Sequence, residues 1–433
     1  MAAFVAAYFG ARRSLGTGLI ALLTAGYGYG ILRANFPDGL SHFMFDAAVL
    51  GVYLGHFFVR APAHVSERSR DAAFWLKVLA VVPLVMFLMP LQHPFVQLIG
   101  LRAAVLFLPL VLIGARLERK DVIAVARGLA VLNLVALGFA VAEYYLGVHL
   151  FFPRNEVTRI MFRSADVGVS GHLRIPSIFS SAHAFGGTMV WSLPLVAELW
   201  SSARRRGDRA LGAAALIASA LGVFLCAARL PVILLGCLLP AALAGQGLSG
   251  KRRLTLAVGV VVVIAFALSN ERLQRFRTLE DHGYASSRFE ASTNHRLIEI
   301  IEEYPLGAGL ARANGTSIPF FLQREAAPQI GLENEFSRII VEEGLIGLAL
   351  WLTFVVWIAT RSPPGDAVSP LGLRLARVGI VTGWATGLIG TGLLTAIPGT
   401  ALMLLQMGLL GRARAHVPAP SVVHAAPARG SLA

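Results

Sequence analysis

Charge is what this sequence has least of. Only 14% of its 433 residues are Asp, Glu, Lys or Arg, against about a quarter in ordinary soluble domains. Lysine is nearly missing: Lys77, Lys120 and Lys251 are the only three among 38 basic residues. The two cysteines, Cys226 and Cys237, both fall in apolar runs, which excludes a disulfide framework. No P-loop or hydrolase nucleophile elbow occurs, and Gly307-Ala308-Gly309 follows no strand, so it reads as a turn and not a dinucleotide fingerprint. His172, His183, His282 and His295 are scattered, without the spacing or carboxylate partners of a ligand set. Neither a metal nor another cofactor is expected. No internal repeat of fixed period is visible.

Apolar residues fill the space that charge leaves. They make up 56% of the chain, and the mean hydropathy is +0.68. They come in runs near 20 residues, the length a helix needs to cross about 30 Å of hydrocarbon. The expected fold is therefore an all-α polytopic membrane protein of about twelve transmembrane helices, forming a single domain over residues 1–414. The spans are expected at 15–34, 43–60, 73–90, 96–115, 122–147, 182–199, 210–228, 230–247, 254–269, 339–360, 373–395 and 397–411. The run after Arg12 and Arg13 lacks a small-residue cleavage site and reads as the first span, not as a signal peptide.

Basic residues sort the joints between spans. One side carries Arg12 and Arg13, Arg60, Arg68 and Arg70, Arg116, Arg119 and Lys120, Arg204–Arg206 and Arg209, Lys251–Arg253, Arg361 and Arg374, and Arg412 with Arg414. The short joints 35–42 and 91–94 on the other side carry neither Lys nor Arg. Basic loops stay cytoplasmic, so both termini are expected inside, and the net charge of +14 needs no nucleic acid to explain it. Two long joints, 148–181 and 270–338, land outside. The tail 415–433, rich in Ala, Pro and Val, is expected to be disordered.

In the second long joint, Thr293 or Asn294 can cap a short helix with Leu297, Ile298 and Ile301 as its apolar stripe, stopped by Pro305 and Gly307. Another helix should begin near Glu333–Asn334 and continue into the tenth span, where Gly344 and Gly347 would admit a neighbouring helix.

Charges at bilayer depth are expensive and need a reason. Asp46, Arg102 and Glu143 lie in predicted spans, and Arg229 sits at the turn between two. All four fall toward the outer leaflet, with Arg102 and Glu143 a candidate ion pair. The outer joints hold twelve arginines, including Arg154, Arg174, Arg288, Arg296 and Arg338, and no lysine. Arginine's planar fork suits bidentate recognition of phosphate.

The stretch "SSRFEASTNHRLIEIIEEYPLGAGLARANG", followed by "IGLENEFSRIIVEEGLIGLALWL", resembles the O-antigen ligase and polymerase superfamily. The shared pattern is Arg288, then a helix, then Pro305, Gly307 and Gly309, and later Glu333 and Asn334 ahead of Gly344-Leu345-Ile346-Gly347. "GLRAAVLFLPLVLIG" with Arg102, "RIPSIFSSAHAFGGTMVWSLPL" with Arg174 and Arg229 in "AARLPVILL" are further matches. The ligases usually carry a His where Glu333 stands, which leaves room for a polymerase.

That resemblance implies a bacterial inner-membrane, metal-independent glycosyltransferase of surface polysaccharide assembly. Its donor would be a polyprenyl-diphosphate-linked glycan, and its acceptor a glycan or the lipid A-core, met at the periplasmic face. Arg102, Arg174, Arg229 and Arg296 would bind the diphosphate and Arg288 would act at the reacting centre. Glu333 would take the proton of the acceptor hydroxyl. Asn334 and Glu335 would mark a helix N-terminus whose amides face the substrate, with Glu335 the alternative base. A secondary transporter or flippase of lipid-linked glycan is the main rival, and a glycan-binding scaffold a further one. Transporters, however, place binding charges near the midplane in repeated halves, and no repeat is present here.

Overall fold

The computed structural model describes residues 1–36, 39, 41–57, 63–155, 158–159, 174–244, 250, 253–254, 257–259, 261, 265, 295–313, 318–319, 322–332, 334–390 and 392–413. The described residues are helical throughout their regular parts: α1 (Ala2–Arg13), α2 (Leu15–Asn35), α3 (Met44–Phe57), α4 (Ala63–Arg68), α5 (Arg70–Leu88), α6 (Pro94–Val105), α7 (Pro109–Arg116), α8 (Arg119–Leu146), α9 (Ala182–Ser202), α10 (Arg206–Leu225), α11 (Arg229–Leu243), α12 (His295–Glu303), α13 (Glu335–Thr360), α14 (Pro370–Thr386) and α15 (Gly399–Leu410).

Side-chain caps set several of the starts. The hydroxyls of Ser14, Ser181 and Ser369 accept from Thr17, Ala184 and Gly372 amides, and Glu118 with Asp121 closes a capping box at α8.

Six helical stretches are long and apolar enough to cross a membrane: Leu15–Asn35, Arg70–Leu88, Pro94–Arg116 (α6 with α7), Arg119–Leu146, Arg206–Leu225 and Glu335–Thr360. The spans expected at 43–60, 182–199, 230–247, 373–395 and 397–411 are helices too, but fall short of that length or apolarity. Most of the ninth, 254–269, and the tail 415–433 lie outside the described residues. Two features differ from expectation. Residues 2–13 form a helix that packs along α3 and α2, and the span at 96–115 is broken at Leu106–Leu108, where Pro109 restarts the helix as α7.

The joints converge as their charges sorted them. At one end Arg68 and Arg412 both reach Asp366, at 2.8 and 3.3 Å, Arg361 pairs with Asp71, and Arg116 Nε donates to Ser69 Oγ at 3.2 Å. At the other end of α5, Gln92 Nε2 donates to the Leu310 carbonyl at 2.5 Å. At the matching end of α2, the Ile31 amide reaches the Ile178 carbonyl at 3.1 Å, and Asn35 Nδ2 reaches that of Phe151 at 2.9 Å.

Between the two ends a fully buried polar network crosses the bundle. Tyr27 donates to Asn133 Oδ1 at 2.5 Å, and Asn133 Nδ2 donates to Ser192 and Ser219 at 2.7 and 2.8 Å. Those bonds tie α2, α8, α9 and α10 together. In hydrocarbon such groups must be satisfied within the protein.

Candidate functional site

The lysine-free end holds the functional candidates, and α13 organises them. Asn334 caps α13, its Oδ1 accepting from the Ser337 amide at 2.6 Å. Glu335 binds the non-helical segment 387–394 in both directions. Its amide donates to the carbonyls of Gly387 and Gly390 at 2.8 and 3.1 Å, and its carboxylate accepts from the amides of Gly392, Leu393 and Leu394. Sequence reasoning expected free amides here for phosphate. Instead, the Glu335 amide is engaged by the segment that folds back over the helix end, and the Ser337 amide by the Asn334 cap.

One and two turns on, Arg338 Nε bonds Glu335 at 2.7 Å and Arg338 Nη1 bonds Glu342 at 2.6 Å. With Glu343 these side chains form a buried cluster of three carboxylates and one guanidinium. Its spacing, Glu-x-x-Arg-x-x-x-Glu-Glu, is legible as i+3 and i+4 neighbours on one helix. From the sequence, Arg338 counts among the outer arginines and Glu335 as the helix N-terminus and alternative base, while Glu342 and Glu343 read only as the start of an apolar span.

Gly344 then breaks the helix at φ 71°, ψ −177°. The break is filled by the Pro305–Gly309 turn: the Ala308 amide reaches the Val341 carbonyl at 2.6 Å and the Leu345 amide that of Pro305 at 2.9 Å. A Cβ on Gly344 would sit 2.7 Å from the Leu306 carbonyl carbon. This glycine therefore admits a turn and not a helix, and Gly347 makes room for the side chain of Glu343. The expected helix before the turn is α12. Its buried stripe runs through Leu297, Ile300 and Ile301, while Ile298 faces outward at 57% exposure, a correction of one position along the helix. Its expected caps, Thr293 and Asn294, lie outside the described residues.

Arg102 does not pair with Glu143. It grips Asp46 in a bidentate bond at 2.6 and 2.7 Å, because the first turn of α3 is what faces α6. Ala103 and Ala104 beside it share a small cavity of about 10 Å³ with Arg338, Glu343, Leu394 and Thr400, room for one water. Glu143 accepts instead from the Ser177 amide at 2.8 Å.

Arg229 is the first residue of α11, and Arg174 lies in the non-helical approach to α9, eight residues before that helix begins. Arg174 Nη1 meets His183 Nε2 at 3.2 Å. Ala227, at φ 50°, turns the chain out of α10 so that Arg229 opens α11. That turn packs against α9 so closely that a Cβ on Gly186 would lie 2.5 Å from Cys226 Sγ. Leu230 touches Gly390, the residue whose carbonyl accepts from Glu335. Arg229 thus neighbours the segment that closes over α13. Arg288, Glu333 and the side chain of Arg296 lie outside the described residues. Among those described, no group of three potential metal ligands occurs.

Residues 214–352, from within α10 to within α13, match the family model described as O-antigen ligase. That stretch is similar to the O-antigen ligase family. No match to a curated protein was found. The matched stretch contains Arg229, Arg288, Arg296, Glu333, Asn334 and Glu335, whereas Arg102 and Arg174 precede it.

Proposed function

We propose that the chain transfers a glycan from a polyprenyl-diphosphate donor to an acceptor sugar hydroxyl at the lysine-free, outward end of the bundle, as a ligase or polymerase of surface polysaccharide assembly in a bacterial inner membrane. One observation carries this reading: Leu230, next in sequence to Arg229, lies against Gly390, whose carbonyl is bonded to the start of α13, close in sequence to Glu333. Cleaving the anomeric bond leaves negative charge on the diphosphate. Arg174 and Arg229, with Arg288 and Arg296 from the long joint, neutralise that charge, each preorganised donor supplying about 3–4 kcal/mol of barrier lowering. Arg102 is held by Asp46 and steadies the deeper part of the site. Glu333 accepts the proton of the attacking hydroxyl. Asn334 and Glu335 fix the helix end that carries it.

The test uses purified protein, a lipid-linked repeat unit and an acceptor. A ladder of products means a polymerase and a single transfer a ligase. Glu333→Gln is expected to lower turnover about 10²–10⁴-fold, the usual contribution of a general base. Full turnover by that variant removes Glu333 from the mechanism. Translocation of the lipid-linked glycan with no product at all supports the flippase reading.

A further inference from the structure

Glu143 is fully buried in α8, at a depth where a carboxylate is costly. It spends its one observed hydrogen bond on the backbone amide of Ser177; its other oxygen has no partner among the described residues. Ser177 is the non-glycine residue of the segment that needs holding, since its φ of 54° lies in the left-handed region. A second tether comes from the same helix two turns back, where Ser177 Oγ donates to the Ala136 carbonyl at 2.7 Å. On the opposite side the segment is wedged against α2: Ile178 accepts from the Ile31 amide, and a Cβ on Gly30 would lie 2.0 Å from the Phe179 carbonyl carbon. Three residues before Ser177 stands Arg174, and six after it His183, which Arg174 touches.

We infer that Glu143 is a positioning residue for Arg174. By holding the amide of Ser177 in its strained turn, it fixes the approach of 174–181 to α9 and thereby the place of the Arg174 guanidinium. This rests on the reading of Arg174 as a diphosphate contact, so the test separates anchoring from function.

Anchoring is read by amide hydrogen exchange over 174–181 in protein reconstituted into nanodiscs. Glu143→Ala is expected to speed exchange about tenfold or more, since the hydrogen bond to the Ser177 amide is lost. Glu143→Gln, whose amide oxygen still accepts from Ser177, is expected to stay close to the parent. If Glu143→Ala does not fold, Ser177→Ala cuts the second tether and should speed exchange in the same segment. Unchanged exchange in Glu143→Ala, or in Ser177→Ala where Glu143→Ala does not fold, overturns the inference.

Function is read by a cycle with Arg174→Ala, measuring kcat/KM for the lipid-linked donor. Glu143→Ala should cost about tenfold alone, little or nothing in the Arg174→Ala background, and Glu143→Gln should restore most of it. A full additional loss in that background shows a general structural role and overturns the inference. Arg174→Ala with undiminished transfer defeats the diphosphate reading instead, and the exchange data then decide the anchoring by themselves.

Discussion

Arg338→Leu is expected to lower the stability of the folded chain by about 3–5 kcal/mol, the cost of removing one partner from a buried charge cluster. Arg338 is the cation that Glu335 and Glu342 both bond, at 2.7 and 2.6 Å, with all three side chains at most 4% exposed. Without it, three carboxylates remain in a space that water barely enters. They must take up protons or pull the helix apart, and Glu335 is also the residue that holds 387–394 to the start of α13. The loss should therefore spread to the α13–α14 contact. Thermal unfolding in detergent would show it. Glu343→Gln supplies the contrast: Glu343 has no hydrogen bond of its own among the described residues, so removing its charge should leave stability unchanged or raise it. Equal damage from both substitutions would mean that shape, and not charge, holds this corner together.

Arg229→Ala is expected to lower turnover with the lipid-linked donor about 10²–10³-fold while leaving the fold intact. The backbone around it is set by other contacts, namely the turn at Ala227, the packing of Cys226 on Gly186 and that of Leu230 on Gly390. Arg229→Lys should recover only part of the loss, since an ammonium supplies charge but not the bidentate fork. Steady-state kinetics at saturating donor separates turnover from binding. A change confined to KM would make Arg229 a docking contact and not a group that acts on the departing diphosphate.

What was legible in the sequence was local. Asn334 ahead of Glu335 and an apolar run announces a capped helix, and Pro305 with Gly307 and Gly309 announces a turn; both stand where the residues put them. Arg68 and Arg412, from two of the basic joints, meet on Asp366. What was not legible depends on how helices pack. Residues 2–13 are too short a run to read as a span, and only their contact with α3 and α2 makes a helix of them. Arg102 could pair with either Asp46 or Glu143, because both lie in spans at similar depth, and the orientation of α3 decides it. Of the amides expected free at α13, that of Ser337 is taken by Asn334 and that of Glu335 by the carbonyls of Gly387 and Gly390, in a stretch read as part of a span whose helix in fact ends at Thr386. Ser177 gives no sign in the sequence that it needs a carboxylate to hold it.

The central claim is that guanidinium groups, and not a divalent cation, carry the charge of the leaving diphosphate. The most direct measurement is glycan transfer from a polyprenyl-diphosphate donor by the purified chain in nanodiscs, after exhaustive treatment with a chelator. The expected result is product formation at the untreated rate, abolished by Arg174→Ala combined with Arg229→Ala. Transfer that stops on chelation and returns with added magnesium or manganese, or that survives the double substitution, would contradict it.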